Sequence, residues 1–202
     1  MLRAGESGAK PAVEETRARI FRATRELYAS KGSRGTTTRE VSERAGVNEA
    51  TGFRHFGTKQ QLIAAMLDHY NSFDSYPHML DRARTFPTVE EQLRELARDS
   101  IDAMKRKEDL IIVSMAEELA NPDGHECAWR APAEARLKLV AFFEEKVEAG
   151  EQHGDPQILA RVFMSLFFSF VMARKLWADV NLPMERAVIA MVEIFMNGAR
   201  VR

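Results

Sequence analysis

Apolar side chains recur along this chain at intervals of three and four residues, and segments containing Gly and Pro separate the periodic stretches. In the first stretch Ile20, Ala23, Thr24, Leu27 and Tyr28 would share one face of a helix. No stretch shows the convincing alternation of apolar and polar residues that is typical of a strand. The pattern therefore predicts an all-α protein of about nine helices.

The first two predicted helices have recognisable ends. Helix one is predicted from about Pro11 to Lys31, with Gly32 as its C-terminal stop. The second begins at a capping box, in which Thr37 is the N-cap and Glu40 occupies the third helical position.

A glycine-containing turn, Ala45-Gly46-Val47, ends the second predicted helix. Asn48 is a favourable N-cap for a third helix that closes near Phe56-Gly57, and Thr58 caps a fourth. Two short helices joined by such a turn are typical of a helix-turn-helix, whose second helix enters the major groove of DNA.

Residues 71–88 contain two prolines and mark a predicted domain boundary. Beyond it, helices are predicted at residues 89–107, 108–120, 131–150, 156–179 and 183–200. The predicted organisation is a flexible tail at 1–10, an N-terminal three-helix helix-turn-helix DNA-binding domain at 11–72, and a larger C-terminal helical effector-binding and dimerisation domain at 73–202.

The charge is distributed unevenly, although the whole chain carries a net charge of only −1. Residues 1–72 hold 12 Lys and Arg against 8 Asp and Glu, whereas residues 73–202 hold 17 against 22. A basic first part suits a protein that contacts nucleic acid at one end, and solvated helix faces would give the same imbalance by chance.

The expected compartment is the cytoplasm. Cys127 is the single cysteine, which excludes an intramolecular disulfide and favours a reducing environment. The first ten residues, MLRAGESGAK, lack the apolar core of a secretory signal. The most apolar stretch, residues 162–173, is too short to span a bilayer as a helix, so we expect a buried helix and no membrane partner.

No residues have the spacing of a catalytic or cofactor site. A Gly-rich phosphate loop and a nucleophile elbow are both missing, so we expect neither an enzyme nor a cofactor. His125-Glu126-Cys127 offers too few ligands for a structural zinc site, so no metal is expected. A redox role for Cys127 stays open.

Several motifs follow one another in a fixed order within the run TRARIFRATRELYASKGSRGTTTREVSERAGVNEATGFRHFGTKQQLIAAM. A first helix ending at Lys-Gly is followed by Thr-Thr-x-Arg-Glu, Ala-Gly-Val, Thr-x-aromatic-x-His-Phe and a Lys at the start of the fourth helix. With these motifs, residues 16–70 resemble the DNA-binding domain of the tetracycline-repressor (TetR) family of bacterial regulators. The resemblance implies an operator-binding regulator with a divergent second domain.

The resemblance also implies DNA contacts, position by position. Arg39 would reach a guanine edge from the second helix, in a bidentate pair worth roughly 1–3 kcal/mol. The positions that face bases or the groove correspond to Glu49, Ala50 and Arg54. The positions that contact phosphates correspond to Thr38, Thr51, His55 and Lys59.

The recognition helix departs from the family pattern at two positions. Gly52 stands where the family usually has Leu, Ile or Val, and Phe53 stands where Tyr is usual. A glycine in mid-helix costs about 1 kcal/mol relative to alanine, so we expect a more plastic recognition helix.

The segment RVFMSLFFSFVMARKLW, residues 161–177, is apolar nearly all round and must be buried on several sides. The resemblance implies that the last two long helices pair with those of a second copy in a four-helix bundle. Such a homodimer sets the recognition helices about 34–36 Å apart on DNA. The residues predicted for this interface are Phe168, Val171, Val188, Val192 and Phe195.

Ten Met and twelve Phe residues suggest an adaptable apolar cavity, because Met side chains fill irregular spaces. We therefore expect a small, mostly hydrophobic effector, although each lining residue would also suit an ordinary core. The predicted lining residues are Met104, Ile111, Met115, Phe142, Phe143, Phe163 and Phe167.

The sequence thus predicts a homodimeric transcriptional regulator that binds a pseudopalindromic double-stranded operator, more as a repressor than as an activator. Two other classes stay open at this point. One is a nucleoid or protein-interaction helix-turn-helix protein, and the other is a small-molecule-binding protein with a degenerate DNA-binding domain.

Overall fold

The computed structural model describes residues 9–50, 56–71, 75–120, 127–176 and 182–198. These residues are helical apart from turns and short connections, and none of them forms a strand, which confirms the all-α prediction. The helices are α1 (Ala9–Gly35), α2 (Thr38–Ala45), α3 (Lys59–Asn71), α4 (Ser75–Ala83), α5 (Val89–Lys105), α6 (Glu108–Ala120), α7 (Cys127–Glu148), α8 (Pro156–Leu176) and α9 (Met184–Gly198).

Three local predictions differ from the structure. The segment 71–88 contains α4, because Pro77 falls in the first turn of that helix, where its missing N–H costs no intrahelical hydrogen bond. The predicted tail at 1–10 ends in helix, since α1 already begins at Ala9. Helix α7 begins at Cys127, four residues before the predicted start.

The chain forms two compact units. The N-terminal unit contains α1, α2, α3 and α6, and the C-terminal unit contains α4, α5, α8, α9 and α7 from Trp129 onward. Helix α6 therefore packs with the helices that precede residue 72. The functional domain limits of 11–72 and 73–202 stay a prediction.

The core of the N-terminal unit contains the apolar stripe predicted for α1. Ile20, Leu27 and Tyr28 are buried, and they pack in one cluster with buried residues of the other helices of the unit. Helix α3 contributes Met66, and α6 contributes Leu110. This cluster holds α2 and α3 against α1.

The core of the C-terminal unit contains a cluster of aromatic rings. The Phe163 centroid lies 5.9 Å from that of Phe143 and 5.2 Å from that of Phe195, and Phe143 and Phe195 are 5.7 Å apart. These separations are typical of aromatic contacts in cores. The three rings join α7, α8 and α9.

Helix α8 is more apolar than the twelve-residue stretch predicted from the sequence. Its window Pro156–Ala173 has a mean hydropathy of 1.5, which by length and composition alone would allow it to cross a membrane. The apolar stretch continues on the N-terminal side of Arg161, because one charged residue does not end a helix of this hydropathy. Phe163 and Phe167 are core residues, whereas Val162, Ser165 and Ser169 are exposed, so a single chain buries this helix on one face and not on the several sides predicted.

We predict that Leu139→Ala lowers the free energy of unfolding by about 2–5 kcal/mol, because Leu139 has no exposed surface and its loss leaves a cavity. Leu137→Ala is the matched control on the same helix. The Leu137 side chain is 59% exposed, so this change should stay within about 0.5 kcal/mol. Urea denaturation followed by circular dichroism measures both, and equal losses would contradict the assigned orientation of α7.

Candidate nucleic-acid interface

Helix α2 begins with the predicted N-cap. Thr37 has extended backbone dihedrals, and its hydroxyl accepts a hydrogen bond from the Glu40 N–H at 3.2 Å. The Glu40 carboxylate does not complete the predicted capping box. It accepts instead from the Thr37 hydroxyl at 3.1 Å and from Lys31 Nζ at 2.7 Å. Lys31 chiefly, with Thr37, holds the pKa of Glu40 below its usual range.

The turn after α2 has the predicted conformation. Gly46 lies in the left-handed region with φ of 64° and ψ of 41°, and its N–H donates to the Glu43 carbonyl at 3.3 Å. The Val47 N–H donates to the Ser42 carbonyl at 3.0 Å. The Asn48 side chain then accepts from the Ala50 N–H at 3.0 Å, which confirms Asn48 as an N-cap.

Helix α3 begins with a reciprocal capping box. The Thr58 N–H donates to Gln61 Oε1 at 2.8 Å, and the Gln61 N–H donates to Thr58 Oγ1 at 3.2 Å. The sequence prediction included the Thr58 cap and missed the role of Gln61. A Gln three residues after a Thr is itself a capping-box signal and was readable from the sequence.

The structure describes five of the eight predicted DNA contacts, namely Thr38, Arg39, Glu49, Ala50 and Lys59. The other three, Thr51, Arg54 and His55, lie outside the described residues, as do Gly52 and Phe53. The roles assigned to all eight stay predictions.

Arg39 lies on the exposed side of α2. Its side chain is 80% exposed, and Nε donates to Glu43 Oε1 at 2.9 Å, one helical turn along the same helix. Glu43 raises the pKa of Arg39, with a smaller contribution from Glu49. Fully exposed ion pairs of this kind contribute little to stability, so the guanidinium can exchange Glu43 for a ligand at small cost.

Glu49 lies beyond the turn and accepts a hydrogen bond from the start of α2. The Thr38 hydroxyl donates to Glu49 Oε1 at 3.2 Å, so the structure brings together the predicted contacts Thr38, Arg39 and Glu49. A carboxylate here opposes the approach of a phosphate to Thr38, and it can accept from the amino group of a cytosine.

Lys59 is half-buried at the first position of α3, where its Nζ donates to the Ser33 carbonyl at 2.9 Å. Sequence reasoning missed this partner, because residues 26 positions apart carry no local signal of contact. An ammonium has three donors, so Lys59 keeps donor capacity for a phosphate while it remains bonded to Ser33. The helical N–H groups at the start of α3 add to that capacity.

No group of three or more His, Cys, Asp or Glu side chains suited to a metal occurs within the described parts of the chain. His125 and Glu126 lie outside them, and so does the side chain of Cys127.

The predicted effector-pocket residues fall in both units. Ile111 and Met115 are half-buried on α6 in the N-terminal unit. Met104 is a half-buried neighbour of the core of the C-terminal unit, in which the four Phe residues are buried. Those four, Phe142, Phe143, Phe163 and Phe167, pack ring against ring.

Four of the five predicted dimer-interface residues are core residues instead. Val171, Val188, Val192 and Phe195 are buried within the C-terminal unit of a single chain, and Phe168 is half-buried. The helical period was read correctly and the exposed face was not, because both faces of α8 and α9 carry apolar residues. Among the described side chains of these two helices, the large apolar ones that are exposed are Ile158, Val162 and Ile194.

This chain is similar to known proteins both in its first part and over most of its length. Residues 20–66, which form most of the helix-turn-helix region, match the family described as bacterial regulatory proteins, tetR family. Over 186 residues the chain is 29% identical to the uncharacterized HTH-type transcriptional regulator YvkB of Bacillus subtilis, covering 91% of this chain and 96% of that protein. The chain is thus similar to a helix-turn-helix regulator over most of its length, and residues 20–66 match the tetR family.

Two further matches show which other proteins this chain resembles, one in its first part and one in its fold. Over 56 residues it is 46% identical to the HTH-type transcriptional repressor Rv3405c of Mycobacterium tuberculosis, covering 28% of this chain and 30% of that one. The transcriptional regulator FadR of Bacillus subtilis, solved with stearoyl-CoA, shares the fold with a TM-score of 0.72 at 15% identity, covering 91% and 99% of the two chains. The chain is a DNA-binding, helix-turn-helix transcriptional regulator.

We predict that Gly46→Ala destabilises the N-terminal unit by about 1–2 kcal/mol, because a Cβ disfavours the left-handed conformation of this turn. Nothing lies within 4 Å of a Cβ built at Gly46, so steric clash adds no further cost. Gly46→Asn should cost less, since Asn adopts this conformation more readily. Thermal unfolding of the two variants measures the difference, and identical melting temperatures would contradict it.

Proposed function

We propose that this chain is a homodimeric repressor of the tetR family that binds a pseudopalindromic operator and is released by a small, mostly hydrophobic effector. The observation that carries the proposal is the arrangement of the described residues on either side of the turn at Gly46. Arg39 is exposed on α2, and Lys59 lies at the capped start of α3. Rv3405c, to which the chain is similar over 56 residues, is named a transcriptional repressor, and this supports repression as the sign of regulation.

Different contacts supply specificity and affinity in this proposal. Arg39 reads a guanine from α2, with Glu49 and Ala50 facing the groove beyond the turn. Lys59 holds a phosphate, and Thr38 holds another once its hydroxyl exchanges Glu49 for the phosphate, and these contacts set the position of the protein on the duplex. By the family resemblance Arg54 adds a groove contact, and Thr51 and His55 add phosphate contacts.

The proposed dimer interface uses the exposed apolar side chains of the last two helices. Ile158 and Val162 on α8 are 62% and 46% exposed, and Ile194 on α9 is 69% exposed. Ser165 and Ser169 continue the exposed side of α8 at helical spacing and allow close approach. A second copy would bury these side chains in an isologous interface.

The proposed effector binds in the aromatic core of the C-terminal unit, near Met104, Phe143 and Phe163. FadR of Bacillus subtilis was solved with stearoyl-CoA, and another solved structure of the same fold is named a flavonoid-responsive regulator. Both names concern ligands with large apolar parts. An effector releases DNA only through its higher affinity for the conformation that does not bind the operator.

The proposal places this regulator in the cytoplasm, with no catalytic activity and no cofactor. Selection of short duplexes from random DNA by the purified full chain tests its central claim. Enrichment of one palindrome supports operator control, whereas retention of unrelated sequences favours a nucleoid protein. Absence of salt-dependent binding favours a small-molecule-binding protein with a degenerate DNA-binding domain.

We predict different effects for Arg39→Ala and Lys59→Ala. The first should relax base preference at one position of each half-site, because a pair worth about 1–3 kcal/mol between bases is lost. The second should weaken binding to all sequences alike. Titrations against the selected operator and single-base variants measure both, and a uniform loss from both substitutions would contradict the assigned roles.

We predict that Ile158→Asp weakens dimerisation at least about tenfold, because a carboxylate would be buried in an apolar interface without a partner. Leu137→Asp is the matched control, because Leu137 is similarly exposed on α7 and lies outside the proposed interface. Sedimentation over a range of concentrations measures the dissociation constant. An unchanged constant for Ile158→Asp would place the interface elsewhere.

A further inference from the structure

We propose that Glu117 of α6 is a positioning residue for Lys59, acting through the main chain of Ser33. The inference rests on the proposed role of Lys59 as a phosphate contact. It adds to the DNA-binding machinery a residue that lies about sixty positions beyond the helix-turn-helix and outside its sequence motifs.

Both main-chain polar groups of Ser33 form hydrogen bonds to side chains of other helices. Its N–H donates to Glu117 Oε1, and its carbonyl accepts from Lys59 Nζ at 2.9 Å. One residue therefore connects a carboxylate of α6 to the ammonium at the start of α3. A change in the orientation of the Ser33 backbone would move the acceptor that holds Lys59.

The residue before Ser33, Gly32, has a non-helical backbone conformation within α1. Gly32 interrupts α1 with φ of 69° and ψ of −175°, a positive φ that favours glycine. A Cβ at Gly32 would lie 2.9 Å from Glu117 Oε1, too close for an ordinary contact. The positive φ favours glycine at this position, and a Cβ here would displace the Glu117 carboxylate from its present place. The Thr36 hydroxyl donates a hydrogen bond to the Gly32 carbonyl at 2.7 Å and so links the two ends of residues 32–36.

Glu117 is held by a second bond. The Tyr28 hydroxyl donates to Glu117 Oε2 at 2.9 Å and lies 3.4 Å from Ser114 Oγ. Tyr28 is buried in the core of the N-terminal unit, and this burial raises the pKa of its phenol, which therefore stays a donor at neutral pH. The two carboxylate oxygens of Glu117 thus have separate partners, and its position is defined by α1.

A second carboxylate of α6, that of Asp109, also pairs with a residue of α1, and it supplies a control for the test of Glu117. Arg25 donates to Asp109 through Nη2 at 2.8 Å and Nε at 3.3 Å. This pair also holds α6 against α1, and it lies two turns of α6 away from Glu117. Loss of the Asp109 charge should therefore weaken the packing of α6 and leave the acceptor of Lys59 in place.

The test measures DNA affinity of the full chain at several salt concentrations, with a fluorescent duplex of mixed sequence as the probe. Lys59→Ala should reduce the slope of log K against log salt by about one phosphate contact per subunit. Glu117→Ala should reduce it by a similar amount, and the double variant should show no further reduction. Asp109→Asn should keep the original slope. Glu117→Gln retains an acceptor for Ser33 and should also keep it.

The outcomes separate the inference from the proposed function. An unchanged slope for Lys59→Ala would overturn the phosphate contact itself. A reduced slope for Lys59→Ala, together with additive losses or an unchanged slope for Glu117→Ala, would overturn the positioning role alone. If Glu117→Ala fails to fold, Tyr28→Phe removes the donor to Glu117 Oε2 and should also reduce the slope. An unchanged slope in Tyr28→Phe would then overturn the inference.

Discussion

The packing of α2 against α1 is the interaction on which the DNA-binding surface depends. Helix α2 has only eight residues, too few for a helix that is stable by itself in water. Val41 and Ala45 bury one face of α2 in the core of the N-terminal unit, while Arg39 remains exposed on another. The turn at Gly46 and the caps that follow it direct the chain only because α2 is held in place.

Helix α6 extends this constraint beyond the helix-turn-helix. Its Leu110 completes the apolar core, Asp109 pairs with Arg25, and Glu117 binds the Ser33 N–H where α1 is interrupted. The N-terminal unit is therefore built from two separate stretches of the chain. A helix from the later part of the chain therefore lies inside the unit that contains the proposed DNA contacts.

The C-terminal unit is built on a different principle. Its core is a cluster of Phe rings contributed by α7, α8 and α9, and Ile158, Val162 and Ile194 remain on the surface. Apolar residues on both faces of α8 account for its high hydropathy: one face forms the core, and the other is exposed in a single chain.

Local signals in the sequence determined much of this protein. The period of Ile20, Leu27 and Tyr28, the Thr37 cap and the turn at Gly46 all appear as predicted, because each depends on residues within one or two helical turns. The tertiary structure decided the rest. The face of α9 that is buried, the place of α6 and the bonds of Ser33 to Glu117 and Lys59 all depend on residues far apart in sequence, whose contacts form only when the helices pack.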